Sequence, residues 1–322
     1  MAPVCEESEA CCMTREALDH HAPWRIVGHP LLAEFLDAQL AKERASAAVH
    51  AMFGNWLPWL VVLDEKWVEE RLQVLLPPGQ DERWLFEPAW ANYLRHPCYD
   101  RVFDLLRPVY EMSVADLAPD EDFAESDISW QAGVARHLMA QYWRGRLALD
   151  EPVLQTFYSN ASPRLRAYTV EFIGRSLAKT DDLPTEIGER LMRLREARMA
   201  SLTSQQDPEI AAIGEWAVAV GLPEGWRIAQ VTAAAQVGSV ERAFAVKDLL
   251  VEACGRHPVA CFHALQALLE HDSDRVSHWV DDWAVILEQA LACEEVRDEA
   301  EALVHELGER GHWDLRALLA AP

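Results

Sequence analysis

Apolar residues recur along this chain at the spacing of helix turns and nowhere at the spacing of strands, and this narrows the possible folds more than any other feature. After Pro163 they fall at Leu165, Tyr168, Phe172, Ile173 and Leu177, one face of a helix with 3.6 residues per turn. After Ser239 they fall at Val240, Ala243, Phe244, Leu249, Leu250 and Ala253. A third stripe is Trp279, Trp283, Ile286, Leu287, Ala290 and Leu291, and a fourth is Val296, Ala300, Leu303, Val304 and Leu307. No comparable run alternates with period two, and the Asn-Gly and Asp-Gly pairs of tight hairpins are missing. The chain therefore reads as all-α, with about fourteen helices of roughly 10–18 residues joined by short loops.

Helix openings carry a signature of their own: a capping residue just before a proline, which has its φ pre-set for the first turn. Ser162-Pro163, Asp207-Pro208 and Asp150-Glu151-Pro152 are the clearest, with Glu87-Pro88 and His257-Pro258 weaker. Pro163, Pro208 and Pro258 stand 45 and 50 residues apart, close to the period of HEAT-like helix pairs. The expected architecture is an irregular α-solenoid of antiparallel helix pairs (HEAT/TPR-like), each burying its stripe on the next. The alternative is a compact irregular helical domain, since the fixed positions of the tetratricopeptide pattern are not met.

Charge divides the chain. Asp plus Glu number 53 against 29 Lys plus Arg, a formal charge of −24. Such a field disfavours phosphate backbones and anionic membranes, so nucleic acid is not the expected partner. Residues 128–200 run the other way, with eleven basic against eight acidic residues. The acidic run 119–127 reads as an exposed loop. The expected organisation is an acidic N-terminal tail (1–25), a Trp-rich helical part (26–118), that loop, and a helical-repeat part (128–322). Glu6, Glu7 and Glu9 sit where a signal peptide needs positive charge. The most apolar window, Trp56–Leu63, is far shorter than the ~20 residues of a membrane span. A cytoplasmic location follows as the expectation, with the seven cysteines as free thiols.

Catalytic equipment is sparse. The chain contains no P-loop, no G-x-G-x-x-G, no G-x-S-x-G elbow, no EF-hand and no H-E-x-x-H; His305-Glu306 meets Glu309 where the second His belongs. The expectation is a protein that is not an enzyme and takes no cofactor. One weak metal candidate is Cys254, His257, Cys261 and His263, two thiols and two imidazoles of the kind zinc takes. Helix geometry works against it, because Cys261 and His263, two apart, point about 200° from each other. Cys261 reads better as a core residue and His257 as a helix C-terminal group. Cys11-Cys12 with His20-His21 is a second conceivable cluster, better explained as a frayed terminus.

Two features could serve a protein partner. Arg164, Arg166, Arg175, Arg190, Arg193, Arg195 and Arg198 are close in sequence, and arginine offers bidentate donors to acidic groups. The alternative is a solvated face with pairs such as Glu186–Arg190 and Glu189–Arg193. The chain also holds thirteen tryptophans. Trp56, Trp59 and Trp67 fit one apolar helix face; most of the thirteen belong to the core, and any exposed ones suit binding anchors.

Three stretches carry a resemblance. They are Phe53-Gly54-Asn55-Trp56-Leu57-Pro58-Trp59-Leu60 with Leu63-Asp64-Glu65-Lys66-Trp67-Val68; Ala89-Trp90-Ala91-Asn92-Tyr93-Leu94 with Leu105-Leu106-Arg107-Pro108-Val109-Tyr110; and Ile286-Leu287-Glu288-Gln289-Ala290-Leu291 with Leu303–Gly311 and Leu315–Leu319. Together they resemble the C-terminal helical regions of large bacterial STAND NTPases and sirtuin-like antiphage defence proteins. The resemblance implies target sensing: a helical array binding a protein ligand such as a phage protein, alongside an NTPase or effector partner. It carries over no catalytic residue. A constitutive scaffold in a bacterial complex is the other role this architecture serves. A zinc enzyme and a nucleic-acid binder acting through residues 128–200 come behind both.

Overall fold

The structure is a computed structural model describing residues 25–41, 45–120, 123, 129–180, 182–202, 207–271 and 279–320. All of the expected tail but Arg25, including Cys5, Cys11, Cys12, His20 and His21, lies outside these residues. So does most of the acidic run, of which Pro119, Asp120 and Phe123 are described. Among the described residues there are fifteen α-helices and no strand, so the all-α reading holds. Among the described residues no helix is long and apolar enough to cross a membrane. The chain forms two compact units, Met1–Leu165 and Arg166–Pro322.

In the first unit, α1 (Pro30–Leu40) leads to α2 (Ala47–Leu75), α3 (Arg83–Tyr93), α4 (Asp100–Leu105), α5 (Arg107–Ala115), α6 (Trp130–Trp143) and α7 (Pro152–Asn160). The α2–α3 pair is its core. Gly54 lies so close to the Ala89 backbone that a methyl group there would sit 1.9 Å from the carbonyl oxygen. The two helices pack on one another here, and Phe53, Leu57 and Val61 of α2 and Leu85, Phe86 and Trp90 of α3 are all buried. The helices on either side of the acidic run are tied together. Tyr110 on α5 bonds His137 on α6, and Asn160 on α7 donates to the Val114 carbonyl at 3.1 Å.

Two sequence expectations change in this unit. Pro88 lies inside α3 instead of opening a helix. The Trp56/Trp59/Trp67 face is split. Asp64 leaves the helical region (φ −159°, ψ 86°), which turns Trp67 inward to full burial while Trp56 and Trp59 face out. Asp64 caps the continuation: its Oδ1 accepts from the Trp67 N–H at 3.2 Å, as a helix N-cap does. Its Oδ2 accepts from the Val27 N–H at 3.1 Å.

The second unit takes in most of α8 (Pro163–Leu177), then α9 (Thr185–Ser201), α10 (Pro208–Ala211), α11 (Glu224–Ala235), α12 (Ala243–Ala253), α13 (Pro258–His271), α14 (Val280–Ala292) and α15 (Arg297–Glu309). A 3-10 helix, Trp313–Ala320, closes it. Pro163, Pro208 and Pro258 each open a helix, but α10 is a single turn that passes into a 3-10 helix, Ala212–Trp216. The fourth apolar stripe is buried at every position. The second departs at Phe244, which is 72 % exposed, with Val246 taking its place inside. Phe244, two residues and about 200° from Val246, falls on the opposite face of α12, and Arg242, left-handed (φ 56°), precedes the helix. Arg242 is held there by the Glu215 carboxylate at 2.9 Å.

Candidate interaction surface

The arginines singled out from the sequence do not act as one surface. Arg166 on α8 and Arg198 on α9 converge on Glu209 of α10, a carboxylate with no exposed side-chain surface. Arg198 grips it through both carboxylate oxygens, Nε–Oε1 at 2.8 Å and Nη2–Oε2 at 2.9 Å. Arg166 reaches Glu209 at 3.2 Å and Asp207 at 2.6 Å. Asp207 in turn caps α10 by accepting from the Glu209 N–H at 2.9 Å.

Arg195 is 1 % exposed and donates from Nη1 to the Glu209 carbonyl at 3.1 Å. Its Nε and Nη2 have no hydrogen-bond partner. Burial lowers its pKa to about 10, opposed by the attraction of Glu209 and aided by repulsion from Arg198. A guanidinium at that value is still charged at neutral pH. The cluster is thus an internal clamp of three cations on two carboxylates, joining α8, α9 and α10. Arg175 pairs with Glu171 one turn away at 3.5 Å. Arg193 is exposed and donates to the Glu189 carbonyl, not to the expected carboxylate. Arg164 and Arg190 are half-buried.

The zinc candidates are scattered in the same way. The Cys254 Sγ bonds the Val251 carbonyl at 3.1 Å, and burial raises its thiol pKa. Cys261 is fully buried, and burial, with Cys254 second, pushes its pKa up to about 12. His257 instead faces Glu224 at 3.2 Å, and His263 faces Glu299 at 3.8 Å. Among the described residues no group of three or more His, Cys, Asp or Glu is placed to hold a metal ion.

One polar network has no signal in the sequence. The Tyr93 and Tyr110 hydroxyls share a 3.1 Å hydrogen bond, Tyr110 also bonds His137 Nδ1, and His137 Nε2 bonds the His96 carbonyl at 2.8 Å. A proton on Nε2 satisfies the carbonyl and leaves Nδ1 to accept from Tyr110. Burial pushes the imidazole pKa down to about 3, against the hydrogen bond to His96 and with repulsion from Arg136 and Arg144. The three rings come from α3, α5 and α6, so no spacing along one helix could reveal them. All three rings are buried, and the network ties the three helices to one another.

What remains outward is aromatic. Seven of the thirteen tryptophans are buried, whereas Trp56, Trp59, Trp84 and Trp313 are more than half exposed. Trp56 and Trp59 (53 % each) lie on α2 between Met52 (48 %) and Leu63 (42 %). From Ala47 to Leu63 the helix holds no Asp, Glu, Lys or Arg. A charge-free aromatic face on a chain this acidic is the kind of surface that marks a protein interface.

No protein-family model matches the chain, and no curated protein or solved structure matches it either.

Proposed function

We propose that this chain is a helical protein-recognition module and that the outer face of α2 is where it engages protein. The observation that carries the reading is the run Met52, Trp56, Trp59 and Leu63, exposed and free of charge. Tryptophans are the commonest energetic anchors of interfaces. Inward placement of Arg166, Arg195 and Arg198 supports it from the other side, since their charge goes into holding the fold. On this reading the helices form an irregular solenoid. The resemblance over residues 46–319 to sensor regions of antiphage proteins makes a phage protein the ligand, with an NTPase or effector as further partner.

The test is affinity capture with mass spectrometry from uninfected and phage-infected bacteria, comparing the natural chain with Trp56→Ala/Trp59→Ala. A phage protein enriched after infection, and lost with the double variant, is the expected result. The same host protein in both lysates would replace sensing with a scaffold role. Capture indifferent to both tryptophans would remove α2 as the site.

A further inference from the structure

The spacing of the exposed α2 side chains suits a two-fold pairing. Met52, Trp56, Trp59 and Leu63 follow one another at intervals of four, three and four residues. That is the a/d seam of two helices packed together, carried over two heptads. It is also palindromic about the point between Trp56 and Trp59. A two-fold axis through that point lays a second α2 antiparallel on the first, with Trp56 against Trp59 of the other copy and Met52 against its Leu63. A self-complementary patch of this kind is what an isologous dimer contact requires.

We propose that α2 pairs with α2 of a second copy of this chain, making the module a homodimer. The proposal rests on reading the α2 face as a protein-binding surface, and it names the protein as the chain itself. Charge restricts the choice of face. At −24 per chain, two copies repel across most approaches, and Ala47–Leu63 is a stretch of α2 with no charged side chain of its own. The stripe ends where Asp64 breaks the helix and Lys66, Glu69 and Glu70 begin. Asp64 also accepts from the Val27 N–H at that end, and the Val27 residue is 61 % exposed.

Area sets the strength. About half of two tryptophans, a methionine and a leucine amounts to about 400 Å² per copy. The pair falls short of the ~1,200–2,000 Å² of specific stable complexes, even with Val27 added. The dimer is therefore a reversible one, with a dissociation constant on the order of 1–100 µM.

Sedimentation velocity of the full chain from low to high micromolar concentration tests this. The expected result is a monomer–dimer equilibrium that tightens as NaCl rises from 50 to 500 mM, because salt screens the repulsion while leaving the apolar seam intact. Trp56→Glu/Trp59→Glu should weaken the dimer at least about tenfold, with unchanged circular dichroism because both positions are exposed. Trp56→Glu/Trp59→Lys should weaken it less than the double Glu variant, because the antiparallel register sets Glu against Lys twice instead of Glu against Glu. A chain that stays monomeric throughout overturns the proposal, and so does a dimer indifferent to both double variants. If a monomeric chain still captures a heterologous protein through Trp56 and Trp59, the recognition reading survives and the homodimer alone falls.

Discussion

Asp64 caps the N–H of Trp67 at 3.2 Å from within what would otherwise be one continuous helix. This bond sets the helix off afresh at a different angle, so that the tryptophans before the break face outward and the one after it faces the core. The outer Oδ2 anchors Val27, 37 residues away in sequence, at 3.1 Å. One buried carboxylate therefore both shapes α2 and docks the chain leading into α1.

Asp64→Ala removes both bonds and strips a buried cap. The expected cost is about 1–3 kcal/mol, read as a lower urea midpoint by circular dichroism. Asp64→Asn keeps one acceptor oxygen and should cost less than half as much. Equal midpoints for the natural chain and Asp64→Ala would deny the cap its role.

Glu209 and Arg195 predict opposite outcomes. Glu209→Gln leaves the buried Arg195 and the half-buried Arg166 and Arg198 with one carboxylate, Asp207, and should destabilise by about 3–5 kcal/mol. Arg195→Met removes a buried cation with two unpartnered donors, while Glu209 keeps both its ion pairs. That change should fall within about 1 kcal/mol of neutral or stabilise. Denaturant unfolding of the two variants side by side decides it, and a large loss in Arg195→Met would show that its charge is needed.

His137 makes stability depend on pH. Its folded pKa is about 3 against an ordinary 6.5, so between these values the unfolded chain binds a proton that the folded chain does not. The contribution is complete above pH 6.5 and shrinks as pH falls toward 3. From pH 6.5 to 5.0 it should lose about 1.5–2 kcal/mol. His137→Gln lacks this dependence, so the stability gap between it and the natural chain should narrow by that amount at pH 5.0. A gap independent of pH would contradict the neutral, buried imidazole.

Gly54→Ala places a methyl group 1.9 Å from the Ala89 carbonyl oxygen. Backbone cannot yield as a flexible side chain does, so α2 and α3 must separate. A loss of about 2–3 kcal/mol is expected, seen as a lower melting temperature. If self-association of α2 depends on its seating against α3, dimerisation should weaken in the same variant.

The sequence by itself determined that this protein is helical and where several helices begin. The stripe Val296, Ala300, Leu303, Val304 and Leu307 is buried throughout, and Asp207-Pro208 does open a helix with its own cap. Both are local properties, carried by the 3.6-residue turn and by a side chain bonding a backbone N–H two residues on. Tertiary structure alone decided which way each side chain faces. Whether an arginine meets solvent or Glu209 depends on where α8 and α9 pass α10. Trp67 parted from Trp56 and Trp59 because Asp64 found a second donor in a distant segment. The Tyr93–Tyr110–His137 network needs three helices to converge. Helical periodicity repeats over a few residues, whereas burial and pairing are set by partners tens of residues away, and a single sequence carries no distance between them.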